Sequence, residues 1–139
     1  MGLRQSLDLI LDETMESTWE RHARLAEAVR QAVNVWSNEG KLKFNVLEKG
    51  HRSNAVTTIL CSKNIDPDIL INYCREKFCV ILGVGIGAFE HRSFRIAHMG
   101  NINEAMILGI LGTVETTLLA LSISREGGVQ AAINYLASQ

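Results

Sequence analysis

Apolar side chains recur at three- and four-residue steps from Leu3 through Leu7, Ile10, Leu11, Met15, Trp19, His22, Leu25, Val29, Val33 and Trp36, with Asp, Glu, Arg and Gln filling most gaps. That period is the signature of an amphipathic helix, so a helix is expected over residues 3–37, with Gly40 placed to end it. Thirty-five helical residues would run roughly 52 Å. A folded chain of this length has a radius of gyration of only about 14 Å. The helix must therefore overhang its domain or break, and its apolar stripe asks for a partner surface.

Beyond Gly40 the period changes. Residues 42–47 and 55–60 read as short strands, the second (AVTTIL) rich in β-branched side chains. Asp66-Pro67 pairs an N-cap residue with proline at the first helical position, opening a helix whose apolar face holds Ile69, Leu70, Tyr73, Cys74 and Phe78. Residues 80–82 and 94–99 are two further strand candidates, joined through glycines 83, 85 and 87. Asn101 and Glu104 have capping-box spacing, and the helix they predict runs to residue 123. On it Ile102, Met106, Ile107, Ile110, Leu111, Val114, Leu118 and Leu121 face inward. Gly127-Gly128 precedes a last helix over residues 129–137. The expected architecture is a single α/β (α+β) sandwich, a small and mostly antiparallel sheet covered by helices and preceded by the long helix.

Composition narrows the function classes. The chain has 139 residues, 47% apolar and 21% charged, with a formal net charge of -1. This suits a globular protein and gives no global basic field for nucleic acid. The basic cluster Arg21-His22-Ala23-Arg24 reads as the wet face of a helix. Three cysteines, Cys61, Cys74 and Cys79, form no C-x-x-C pair, which argues against a disulfide framework and a zinc knuckle and for free thiols in the cytoplasm. Residues 1–11 carry Arg4 and Asp8 and lack a signal-peptide pattern. The apolar stretch 105–124 contains Glu115 and several threonines, so a buried helix is expected there rather than a membrane span.

The segment GVGIGA, residues 83–88, satisfies G-x-G-x-x-G/A. A dinucleotide loop needs a strand before those glycines and a helix after them, whose N-terminal amides face the pyrophosphate. Here a second strand follows instead, so the glycines are read as a turn. That strand carries Arg95 between Phe94 and Ile96. A guanidinium on such a strand requires a partner, and spacing leaves two: an internal carboxylate (Glu48, Glu76 or Glu90) or the carboxylate of a substrate held by arginine's planar fork. His22 reads as a packed histidine, His91 and His98 as too far apart in phase for a metal site, Trp19 and Trp36 as core or interface. No metal-ligand set is read.

The stretch FRIAHMGNINEAMILGILGTVETTLLAL resembles the C-terminal signature of the class V, pyridoxal-phosphate-dependent aminotransferases, in the alanine–glyoxylate, serine–glyoxylate and serine–pyruvate branch. The resemblance continues through HRSNAVTTI, CREKFCVILGVGIG and the amino-terminal GLRQSLDLILDETMESTWERHARLAEAVRQAV, covering nearly the whole chain. Ala97 and Cys79 stand where that family usually has glycine. The resemblance implies the small domain of a fold-type I aminotransferase over residues 41–139, joined by a connecting helix over residues 1–40. It implies that Arg95 binds the carboxylate of a small amino acid or keto acid. It further implies that pyridoxal 5'-phosphate and its Schiff-base lysine belong to a large domain outside these motifs, so the chain alone is expected to hold no cofactor and to be inactive. The partners implied are that large domain or a second copy of the chain. A non-enzymatic relic that self-associates through the first helix is the alternative.

Overall fold

In the computed structural model, which describes residues 2–139, five helices and a four-stranded sheet follow in the order α1 (Gly2–Glu13), α2 (Met15–Trp36), β1 (Leu42–Phe44), β2 (Val56–Cys61), α3 (Pro67–Phe78), β3 (Gly83–Val84), β4 (Ser93–Ala97), α4 (Glu104–Ala120) and α5 (Gly128–Ala137). The long helical period is broken in two. Thr14 adopts φ 78° and ψ 151°, a region open almost only to glycine, and its hydroxyl accepts the Ser17 N–H to start α2 afresh. Of the two ways out of the length problem, the chain takes the break.

The sheet is antiparallel throughout, in the order β1-β2-β4-β3. Alternation along the strands separates its faces. Phe44, Ile59, Phe94 and Ile96 are buried toward the helices, while Thr58, Leu60 and Arg95 on the other face are half-buried and Ala97 is exposed. The core lies between the helix-facing side and α2–α5, with Leu25, Val29, Trp36, Leu70, Leu111 and Leu118 at its centre. The Trp36 indole donates to Glu115 (2.9 Å), whose same carboxylate oxygen accepts the Val129 N–H (2.8 Å). One acidic side chain thus satisfies a buried indole and the amino end of α5 together.

Asp66 and Pro67 open α3 as expected, Asp66 accepting the Asp68 N–H. Elsewhere the elements shift. Residues 80–82 form no strand, because the register of β4 offers partners only to Gly83 and Val84. The cap of α4 is Asn103, which accepts the Met106 N–H (3.0 Å); Asn101 instead sits in a turn closed by Ile102 N–H on Gly100 O. That helix ends at Ala120, not residue 123, since Ser122 takes a left-handed φ of 56° and the chain folds back onto Leu118 O. Met106, expected inside, is 50% exposed. No described helix is long and apolar enough to cross a membrane.

Candidate functional site

Arg95 lies in the middle of β4, opposite Thr58 on β2 and Gly83 on β3. A β-carbon built on Gly83 would stand 3.1 Å from Arg95 Cβ and 3.2 Å from its Nε. The bare glycine therefore gives the arginine its room. Arg95 Nε donates to Val84 O at 2.7 Å. With Nε committed to the backbone, the guanidinium plane is fixed and its Nη1/Nη2 edge is left as a two-pronged donor. Arg95 forms no ion pair among the described residues. The internal carboxylates considered for it do not serve: Glu76 stands beside Arg75 and Glu90 beside His91. A second glycine in the run, Gly85, is demanded by packing, since a β-carbon there would fall 2.0 Å from Phe89 O. The glycine pattern therefore serves a hairpin and an arginine, not a pyrophosphate.

Past Arg95 the strand is tied down by His98, which is fully buried. Its Nδ1 donates to Asn54 O (3.0 Å), so Nε2 accepts from the Thr57 hydroxyl (2.9 Å). Burial pushes this imidazole down to about 4, and it stays neutral at ordinary pH. Asn54 in turn accepts Arg30 Nη2 (3.0 Å), which also donates to Ser53 O (2.8 Å). A polar chain thus runs from α2 through the loop before β2 to the end of β4. His91 takes a different partner, Asp68 on α3, whose carboxylate holds it more basic than a free histidine. No group of three metal-ligating side chains occurs among the described residues.

Arg21 corrects the reading of its cluster as a wet helix face. Its side chain is only 17% exposed. Nε and Nη2 each reach Glu13 at 2.6 Å, and Nη1 donates to both Gly100 O and Ile102 O at 2.9 Å. His22 Nε2 accepts the Gly100 N–H (3.1 Å). Arg21 therefore clasps α1, α2 and the segment after β4. Nothing in the sequence flags the contact after β4, because Arg21 lies on the polar side of the helical period and its carbonyl acceptors are about eighty residues away. Trp36 is core as read, whereas Trp19 is 59% exposed. Cys79 ends α3 with a left-handed φ of 56°.

The sheet is thus backed by helices on one face and carries Arg95 on the other. The chain is 36% identical over 137 residues to serine–glyoxylate aminotransferase of Arabidopsis thaliana, matching 97% of this chain and 33% of that protein. To L-aspartate–glyoxylate aminotransferase of Paracoccus denitrificans it is 32% identical over 133 residues, or 94% of this chain and 33% of the relative. The solved pyridoxamine–pyruvate aminotransferase of Mesorhizobium loti superposes with a TM-score of 0.88 at 25% identity, covering 99% of this chain and 35% of the other. No family model matches the chain. The chain is similar to class V, pyridoxal-phosphate-dependent aminotransferases, and it spans about a third of the length of the relatives it matches.

Pyridoxal phosphate requires a lysine for the Schiff base, an acid for the ring nitrogen and donors for the phosphate. Lys41 is paired with Glu39 (3.1 Å), and Lys43, Lys49, Lys63 and Lys77 are exposed. Among the described residues these lysines are exposed or paired, and none is buried beside Arg95.

Proposed function

We propose that this chain is the substrate-carboxylate half of an aminotransferase acting between a small amino acid, serine or alanine, and a keto acid such as glyoxylate or pyruvate. In this reading residues 41–139 are the small domain and residues 1–40 connect it to the cofactor-bearing part that the relatives possess. The supporting observation is Arg95: held through Nε, bare of any protein carboxylate, and set on the face turned away from the helices. Its two Nη groups donate to the two carboxylate oxygens of substrate in one plane. That contact fixes the α-carbon's orientation toward chemistry supplied by the cofactor. Catalysis then draws on the cofactor-bearing part that the relatives possess.

Mixing the chain with a large-domain polypeptide of a serine–glyoxylate aminotransferase tests this directly. Transamination should appear only in the mixture. Arg95→Ala should abolish it, and Arg95→Lys, which keeps the charge but not the fork, should raise KM for the amino acid about tenfold or more. Activity unaffected by Arg95→Ala would end the reading. A second reading, a self-associating module without enzymatic function, is favoured by α1, where Leu3, Leu7, Leu9 and Leu11 are all exposed. A tight homodimer by sedimentation, with no activity in the mixture, would support it.

A further inference from the structure

Away from Arg95 itself, one end of the sheet gathers positive charge. Ser62 N–H donates to Lys41 O (2.8 Å) and Cys61 N–H donates to Arg92 O (2.9 Å), carrying the β1–β2 and β2–β4 ladders one rung further. These two bonds fix three backbone segments side by side. They bring Lys41, Lys43, Lys63 and Arg92 around a single recess of about 250 Å³.

Four cations line this recess and no carboxylate does. Of the acids closest in sequence, one neutralises a lining lysine, leaving three unpaired cations, and the other caps a helix. Glu39 holds Lys41 (3.1 Å) and the Arg125 N–H (2.9 Å), while Asp66 caps α3. Lys43, Lys63 and Arg92 have no side-chain hydrogen bond or ion pair among the described residues. Cys61, also in the lining, brings no negative charge, because burial and the nearby Asp66 push its thiol up to about 12.

Lysines on a convex surface are simply hydrated. Cations converging on a concavity instead reinforce one another's field and raise the local concentration of anions. The volume is below that of pockets built for drug-sized ligands, and it matches a compact oxyanion. Lysine ammoniums act as point charges toward phosphate oxygens, and a guanidinium adds a fork. We propose that this recess binds a phosphate-class anion carrying two or more negative charges, either free or as the diphosphate group of a larger molecule. Lys43 and Leu60 share the sheet face of Arg95, but Arg95 itself does not line the recess, so substitution of Arg95 tells this proposal apart from the aminotransferase reading.

The test is calorimetric titration of the whole chain with inorganic pyrophosphate at near-physiological salt. One-to-one saturable binding is expected, weakening as salt rises. Lys43→Gln with Lys63→Gln should weaken it about tenfold; both side chains are exposed, and an unchanged melting curve certifies the fold. Arg95→Ala should leave it unchanged, and citrate should bind several-fold more weakly than pyrophosphate. Absence of saturation, affinity untouched by the lysine substitutions, or equal affinity for citrate would overturn the proposal. Adenosine diphosphate in place of pyrophosphate then distinguishes a free anion from the diphosphate of a larger ligand.

Discussion

The two halves of one sequence pattern, α1 and α2, end in opposite situations. Leucines and other apolar residues mark both with the same helical period. Yet α2 buries nine residues, among them Leu25, Ala28, Val29, Val33 and Trp36, whereas α1 buries none. Amphipathicity states that a face exists, not what covers it. In α2 the cover is the rest of this chain, chiefly α5 and the sheet. In α1 Leu3 and Leu11 remain 75% and 70% exposed, and no described element of this chain covers them.

The largest expected effect separates the halves most sharply. Trp36→Ala removes a fully buried indole and its bond to Glu115, and should cost about 3–5 kcal/mol in urea unfolding. Leu11→Ala should change stability by less than about 0.5 kcal/mol. If Leu11→Ala proved as damaging, α1 would be packed in solution in a way the structure does not contain. Gly128→Ala comes next. Its new methyl would stand 2.5 Å from both Ala32 O and Trp36 Nε1, wedging α5 off α2 for about 1–3 kcal/mol. A silent Gly128→Ala would mean that the α2–α5 seam is looser than drawn.

The order of elements, the antiparallel sheet and the start of α3 are written plainly in the sequence, since each has a local cause. Asp66-Pro67 names its own helix start, and a glycine hairpin can only return a neighbouring strand. Arg95 was legible as an arginine in need of a partner, but not which partner, because that depends on where Glu48, Glu76 and Glu90 arrive. The misplaced features share a different cause. Thr14 breaks a helix without glycine or proline to announce it. Asn101 and Asn103 are chemically equivalent caps, and only the turn at Gly100 decides between them. Residues 80–82 have strand composition but find no strand beside them.

The junction itself carries the next prediction. Thr14→Gly removes a β-branched side chain from a backbone region that suits glycine alone, a strain of about 1–3 kcal/mol. Glycine gives back only a few tenths as a poorer cap and some chain entropy. A net gain near 1 kcal/mol is expected, read as a higher urea midpoint with unchanged slope. A loss of stability would mean that the Thr14 hydroxyl, bonded to Ser17, matters more than its backbone geometry.

Acid unfolding should resolve the two halves as well. His98, on the packed side, is depressed from 6.5 to about 4. Between those values the unfolded chain binds a proton that the folded chain refuses, so stability is full above about 6.5 and drains as pH falls through 4. Glu13 beside Arg21 is depressed from 4.5 to about 2. The clasp joining α1 to α2 and Gly100 is therefore intact above 4.5 and is lost only as pH falls toward 2. The two indole N–H resonances report the halves separately, Trp36 in the core and Trp19 one turn from the junction. His98→Gln should flatten the stability profile between pH 6.5 and 4 while leaving the lower window in place. Glu13→Gln should flatten the lower window alone, moving the Trp19 signal and not Trp36. Should both windows collapse together in either variant, α1 and α2 would be one cooperative unit despite α1's bare face, and the contrast between them would be one of exposure without any difference in stability.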